Sequence, residues 1–330
     1  MKQLSKEAQE ALKSWPPELK KPGGLQSQLE SMVPWDAAET QPGGTLRFLE
    51  QFILEKTMRI PTRVSVEGPD LNSNRGVHRV ALRAGEGMTG PLVEQVKSLG
   101  NGYSSNGNFV AGYCNMGHHC GGTADGLVVR AAQCSRVVGN RWEEPKNYCI
   151  KVIQGSRDLK IEQNTFDTDQ NRFGIGEATS IIMDRSRGCY GIGNDHVNMF
   201  HALELLNCDT CNFTNEVSEN SVTSLVVFGK GTQWCRYSGR VFSPKSPVMA
   251  EFVGGNARLN YRNRVEVFVS DCPDIPQWRD RDGNLQFMNV RGPDGTIESL
   301  GQKKLFGGYK HQWAIDQMKG SGGWMCEVEN

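Results

Sequence analysis

A six-residue pattern recurs through the middle of the chain and limits the fold more than any other feature. Each copy has an aliphatic residue, two mostly polar residues, an asparagine, another polar residue and an apolar residue. Clear copies lie at residues 137–142, 161–166 and 217–222, with looser copies at 191–194, 237–241 and 259–265. Steps of 24, 30, 26, 19 and 24 residues separate the markers, which are Asn140, Asn164, Asn194, Asn220, Gly239 and Asn263. Such a period is typical of a solenoid, in which each repeat buries its apolar side by stacking on its neighbours.

Composition agrees with a strand-built solenoid. The chain has 38 glycines and only 37% apolar residues, which indicates many turns and thin layers rather than a helical core. Lys plus Arg equals Asp plus Glu at 37 each, so no net charge attracts nucleic acid or an anionic membrane. The first 15 residues predict a charged helix without the apolar centre of a secretory signal peptide. We therefore expect synthesis in a cytoplasm and no membrane insertion.

Short apolar runs before the asparagine markers predict the strands of the repeats. They lie at residues 127–130, 148–153, 180–184, 202–206, 224–228 and 249–253. Stacking would place Ile150, Ile181, Leu203 and Val226 in one interior row. The asparagines would lie above one another at a bend, where their amides can hydrogen-bond along the stack.

The segment GGTLRFLEQFILEKTMRIPTRVSVEGPD, a glycine pair followed by short strands, resembles the first coil of right-handed parallel β-helix proteins of the pectin-lyase-like kind. The resemblance extends over residues 43–272. It implies an all-β fold, a single-stranded right-handed parallel β-helix. Apolar residues at helical spacing predict a short helical cap or attachment arm at 1–42, and an aromatic tail predicts a C-terminal cap or oligomerisation segment at 273–330. Within that last segment, DIPQWRDRDGNLQFMNVRGPDGTIESL predicts a hairpin with an Asp-Gly turn on either side.

Aspartates near the markers are the candidate catalytic groups. β-Helix enzymes of the polygalacturonase kind use clustered aspartates, one protonating the glycosidic oxygen while another activates water. The stretches Asn164-Thr165-Phe166-Asp167 and Gly193-Asn194-Asp195-His196 partly match motifs of those enzymes, whereas their later Gly-His-Gly and Arg-Ile-Lys segments have no counterpart here. The candidate catalytic residues are Asp167, Asp169, Asp184, Asp195 and His196. A solvated turn is the alternative explanation for each acid.

Charged and aromatic side chains near the strands suit a sugar chain, because aromatic rings stack on pyranose rings and charges hold acidic substituents. The candidate ligand-binding residues are Lys151, Arg185, Arg187, Tyr190, Glu204 and Trp234. An ordinary solvated surface explains them equally well.

A histidine and cysteine cluster is the candidate metal site, because both ligand types suit tetrahedral zinc. Its members are Cys114, His118, His119 and Cys120. Exposed vicinal histidines are the alternative, and no cofactor is expected. Most of the ten cysteines are expected to be reduced and packed, including the Cys208-x-x-Cys211 pair.

Three functions remain open at this stage. A β-helix rich in glycine and asparagine, with a short helical arm and an aromatic C-terminal segment, resembles a bacteriophage tail spike or related virion appendage. That resemblance implies a homotrimer in the virion, contacts with other virion proteins, and binding or cleavage of host surface polysaccharide. The first alternative is a pectin-lyase-like glycoside hydrolase or polysaccharide lyase. The second is a purely structural solenoid.

Overall fold

The chain is described by a computed structural model at residues 45–48, 52–60, 64–68, 80–95, 112–114, 117–168, 177–220, 222–242, 248–252, 263–270, 289–291, 297–299 and 323–329. This part of the chain is all-β and contains no helix. The predicted arm at 1–42 and the candidate Asp169 lie outside it. Within it, no helix is long and apolar enough to span a membrane.

The strands are short and follow one another closely. In chain order they are β1 (Thr45–Arg47), β2 (Phe52–Leu54), β3 (Met58–Ile60), β4 (Ser65–Glu67), β5 (Val80–Ala84), β6 (Gly90–Gln95), β7 (Gly112–Cys114), β8 (Gly117–His119), β9 (Ala124–Arg130), β10 (Arg136–Val138), β11 (Arg141–Glu143), β12 (Tyr148–Ile153), β13 (Lys160–Glu162), β14 (Thr165–Asp167), β15 (Thr179–Asp184), β16 (Tyr190–Ile192), β17 (Asp195–Val197), β18 (His201–Leu206), β19 (Asn212–Glu219), β20 (Ser224–Phe228), β21 (Arg236–Phe242), β22 (Val248–Phe252), β23 (Arg264–Ser270), β24 (Asn289–Arg291), β25 (Ile297–Ser299) and β26 (Gly323–Glu329).

From β1 to β16 each strand pairs in parallel with the strand three places further on, so three successive strands form one rung. The first face of the stack contains β1, β4, β7, β10, β13 and β16, and the second contains β2, β5, β8, β11, β14 and β17. Both faces belong to one strongly curled sheet, because the two halves of β19 pair with β16 and β17. The third face is a separate ten-stranded sheet that runs from β3 to β25.

The interior rows agree closely with the predicted ones. Ile150, Ile181, Leu203 and Val226 pair in consecutive register along the third face, and all are fully buried. The predicted strands at 148–153 and 224–228 match β12 and β20, and the others differ only at their ends. Burial of such aliphatic rows is the main source of stability in a stack this thin.

The corner between the first and second faces contains the asparagine ladder. Asn140 Nδ2 donates to Asn164 Oδ1 at 3.0 Å, and Asn164 Nδ2 donates to Asn194 Oδ1 at 3.0 Å. The residues just before them, Gly139, Gln163 and Gly193, have positive φ angles that turn the chain sharply.

Two of the six markers, Asn220 and Asn263, were assigned to the wrong row. The ladder continues from Asn194 to Glu216, whose Oε1 accepts from Asn194 Nδ2 at 3.1 Å, and Gly239 follows Glu216 in register. Asn220 instead lies one corner further on, where its side chain donates to Asn198. Asn263 lies in a third row, where its Oδ1 accepts from the Cys235 backbone N–H. The rungs contain different numbers of residues, so copies of the same sequence motif fall at different corners.

The cysteines whose side chains are described are free thiols, and all but Cys134 are buried. Cys189, Cys211 and Cys235 occupy successive rungs of one interior row, whereas Cys208 lies in another row beside Thr232. Burial raises the pKa of Cys149 well above its usual range, which keeps this thiol protonated. Because Cys208 and Cys211 are both buried, the Cys-x-x-Cys pair fills two core positions, as expected for packed thiols.

Strand pairing continues past residue 272. β24 extends the third face in parallel with β22 and forms an antiparallel hairpin with β25, which confirms the predicted hairpin. β26 pairs antiparallel with β23 at the last edge of the curled sheet.

Candidate functional site

The outer surface of the first face presents most of the exposed large apolar side chains. Among the described residues four such side chains are exposed, and three of them, Tyr190 (43%), Ile192 (44%) and Trp234 (46%), belong to this face or its corner. Tyr190 and Ile192 project from β16. Trp234 is at the corner two rungs further along, which is about 10 Å along the stack at the usual spacing of paired strands. Such a spacing suits two contacts on one extended polymer.

Cations surround these aromatic side chains. The outer row of the first face pairs Arg136, Lys160, Tyr190, Asn212 and Arg236 in register. The two arginines of this row form ion pairs with glutamates of the neighbouring rung. Lys160 has no ion-pair partner in the described part of the chain.

At the corner, Arg187 forms an ion pair with Asp209 at 3.3 Å and remains largely exposed. The structure therefore brings three predicted ligand-binding residues, Arg187, Tyr190 and Trp234, to one surface. Arg185 lies on the adjoining corner, where its Nε is 3.2 Å from Asp184 Oδ2. Lys151 and Glu204 are on the outer side of the third face and do not join this group.

The second face brings two of the predicted acids together. Asp195 pairs with Thr165, and Asp167 pairs with Val197, so the two aspartates are diagonal neighbours on adjacent rungs. Standard strand spacing places their Cα atoms about 8 Å apart. Arg141 Nη2 lies 3.1 Å from Asp167 Oδ2, which balances the charge of that carboxylate.

The two acids differ in their electrostatic environments. Burial raises the pKa of Asp195, the negative charges of Glu219 and Asp167 raise it further, and His196 and Arg141 oppose the rise. Asp167 keeps a direct cationic partner. A pair of carboxyl groups in such unequal environments suits one proton donor and one ionised base.

The other two described catalytic candidates lie elsewhere. Asp184 ends β15 on the third face, away from Asp195. His196 is buried inside the stack, where its ring stacks on Phe166 and its Nε2 is 2.9 Å from Glu216 Oε2. His196 therefore does not share the outer surface with Asp195, because neighbouring strand residues point to opposite sides.

The candidate metal ligands diverge in the same way. His118 is fully buried and stacks on Trp142 at 4.0 Å, and burial lowers its pKa to about 3 despite a hydrogen bond with Asn140. His119 is on the outer side, with Nε2 3.1 Å from Glu144 Oε2. Cys120 is buried, and the side chain of Cys114 is not described. Among the described residues no three such side chains are placed to hold a metal ion.

Sequence reasoning missed Arg141 and Ile192, which complete the two outer surfaces. Neighbouring residues of a strand point to opposite sides. Because Val137 and Trp142 point inward, Val138 and Arg141 point outward, and Ile192 aligns with Val138. That signal was present in the alternation of the motif.

No family model matches the chain, and no curated protein matches it. One similar solved structure is described as "Geobacillus virus E2 - ORF18"; it is 11% identical, with a TM-score of 0.35 over 77% of this chain and 58% of that chain. The chain thus spans a little over half the length of that structure. A match this loose is no basis for assigning a function, which must be argued from the side chains.

Proposed function

We propose that the chain is a right-handed parallel β-helix of a bacteriophage tail spike or related virion appendage, and that its first face binds an acidic host surface polysaccharide. The observation that supports binding most directly is the grouping of Tyr190, Ile192 and Trp234 among cations. Aromatic rings offer flat apolar area to pyranose rings, and arginine and lysine hold carboxylate substituents. A polymer lying along the stack would contact several rungs at once.

Substitution of the two aromatic residues tests the binding surface. Tyr190→Ala with Trp234→Ala should weaken binding of an acidic polysaccharide by roughly 100-fold, about tenfold for each ring. The matched control is Ile53→Ser, because Ile53 is 67% exposed and lies on the second face. Calorimetric titration of the folded proteins measures the polysaccharide affinity of the double variant and of the control. An equal loss in the control, or none in the double variant, contradicts the proposal.

The virion location and the trimer are proposed from the resemblance of the repeat region to tail spikes. Sedimentation equilibrium of the full chain is expected to give a mass three times that of the 36.6 kDa chain. A monomer at all concentrations would remove the support for an appendage of this kind.

Hydrolysis of the same class of polysaccharide is the second candidate function, favoured by the Asp167 and Asp195 pair. Asp195 would protonate the glycosidic oxygen as the C–O bond breaks, and water would attack the anomeric carbon while passing a proton to Asp167. The products are two hydroxyl groups, and inversion at that carbon requires about 6.5–9.5 Å between the two carboxyl groups.

The hydrolysis candidate is tested by isosteric substitution. Asp195→Asn and Asp167→Asn should each abolish release of oligosaccharides, whereas Asp184→Asn should leave it unchanged. Because the acid must be protonated, release should fall as pH rises through the raised pKa of Asp195. Unchanged release in both site variants would exclude the pair.

A further inference from the structure

The third face has an outer crease that the proposed binding surface does not include. On β12, β15, β18 and β20 two successive residues are buried and point inward; the pairs are Cys149-Ile150, Ser180-Ile181, Ala202-Leu203 and Leu225-Val226. Because both members point into the core, the residues before and after each pair lie on the same outer side. Lys151 Nζ accordingly sits 5.3 Å from the Tyr148 ring centre, and Thr179 Oγ1 donates to Glu204 Oε1 at 2.6 Å.

Two rows of side chains line this crease. One row contains Tyr148, Thr179, His201 and Ser224. The other contains Lys151, Ile182, Glu204, Val227 and Glu251.

His201 is the most informative residue of the crease. It is only 8% exposed, and its Nδ1 lies 2.9 Å from the backbone oxygen of Ser224. A carbonyl oxygen only accepts hydrogen bonds, so this contact favours the tautomer with the proton on Nδ1, which leaves the Nε2 lone pair able to accept. The hydroxyls of Ser224 and Thr223 also lie near Nδ1, and the Ser224 hydroxyl can donate onward to Glu251 Oε2 at 3.1 Å. In the described part of the chain, Nε2 has no hydrogen-bond partner.

The neighbours of His201 indicate which kind of ligand would donate a hydrogen bond to Nε2. Glu204 follows on the same strand, and Ile182 and Val227 flank it on the rungs before and after. The carboxylate disfavours an anion, and the described residues offer no metal cluster. Hydrogen-bond acceptors between two aliphatic side chains match a sugar ring, which has hydroxyl donors on its rim and C–H groups on its faces.

We propose that the crease binds a neutral saccharide unit whose hydroxyls donate to His201 Nε2 and to the Glu204 carboxylate while its ring packs on Ile182 or Val227. This site does not depend on the proposed acidic-polysaccharide surface, because it lies on another face and takes a neutral ligand.

Nitrogen NMR of the full chain, labelled at histidine with ¹⁵N, tests the proposal directly. The His201 signals, assigned with a His201→Gln variant, should show the Nδ1–H tautomer in the free protein. Addition of a panel of neutral gluco-, manno-, galacto- and xylo-oligosaccharides should shift the Nε2 resonance with at least one member. Glu204→Gln should weaken that binding about tenfold, whereas Asp184→Asn, on the same face but outside the crease, should not change it.

Two results would overturn the proposal: an Nε2–H tautomer in the free protein, or an Nε2 signal that no member of the panel shifts. The Tyr190→Ala, Trp234→Ala double variant separates this site from the first face. It should lose acidic polysaccharide and keep the His201 shift, so either site can fail without the other.

Discussion

At the scale of single residues, the corner ladder illustrates why asparagine suits this fold. One Asn164 Oδ1 accepts from both the backbone N–H and the side chain of Asn140, and Asn164 Nδ2 donates to the Val137 carbonyl and to Asn194. Each buried amide therefore satisfies backbone groups that the sharp corner removes from the strand ladders. Glu216 takes the same place in the next rung and adds a buried contact with His196.

Removing one amide from the ladder should be costly. Asn164→Ala removes the acceptor of the Asn140 backbone N–H and one acceptor of its side-chain amide, which keeps its bond to the Val138 carbonyl, and we expect a loss of about 2–3 kcal/mol in the free energy of unfolding. Urea unfolding at neutral pH measures it. Asn212→Ala is the control, because the Asn212 amide makes an exposed bond to Thr210, and its change should stay within about 0.5 kcal/mol. Equal losses in the two variants would contradict the role of the ladder.

Glu216 should make stability depend on pH. Burial raises its pKa, and its hydrogen bonds with His196 and Asn194 only partly oppose the rise. A carboxyl with a raised pKa in the folded state favours folding at low pH, so stability should fall as pH rises above about 4.5, the unfolded value. Glu216→Gln, which keeps an amide oxygen for Asn194, should flatten this fall in urea titrations between pH 4 and 7. An unchanged slope would show that the pair contributes nothing to it.

At the scale of elements, one residue without a side chain makes room for a neighbouring ring in the inner row of the first face. This row pairs Val137, Ile161, Gly191, Phe213 and Tyr237 in register, and all but the glycine carry an apolar side chain. A Cβ at Gly191 would lie 2.0 Å from Phe213 Cδ1, so the missing side chain makes room for the ring between β16 and β19.

This complementarity predicts a compensating pair. Gly191→Ala should destabilise the chain by about 1–3 kcal/mol, because the Phe213 ring must leave its position. Phe213→Leu alone should also destabilise it, but the two changes together should cost less than their sum. A double-mutant cycle from urea unfolding measures the coupling. Simple additivity would show that the ring and the glycine do not compete for one space.

The elements also show what sequence alone could establish. Strand positions and the interior row through Ile150 and Ile181 followed from local alternation, which depends only on nearby residues. The positions of Asn220 and His196 did not, because they depend on rung length. Aligned positions Asn164 and Asn194 are 30 residues apart, whereas Asn194 and Glu216 are 22 apart. The outer surfaces were predicted only in part for the same reason: sharing a face requires the register of several rungs.

At the scale of the whole molecule, a stack of parallel strands must protect its terminal edges, because unpaired strands recruit other chains. β26 does this for the curled sheet by pairing with β23 from Arg264↔Glu329 to Ser270↔Gly323. A chain that ends at residue 322 should expose the edge of β23 and associate beyond the state of the full chain, increasingly with concentration. Sedimentation velocity over a concentration series measures this. A chain ending at residue 329 retains β26 and should behave like the full chain. If the 322-residue chain sedimented like the 329-residue chain and the full chain, β26 would not be needed to protect the edge, and the antiparallel strand would need another explanation.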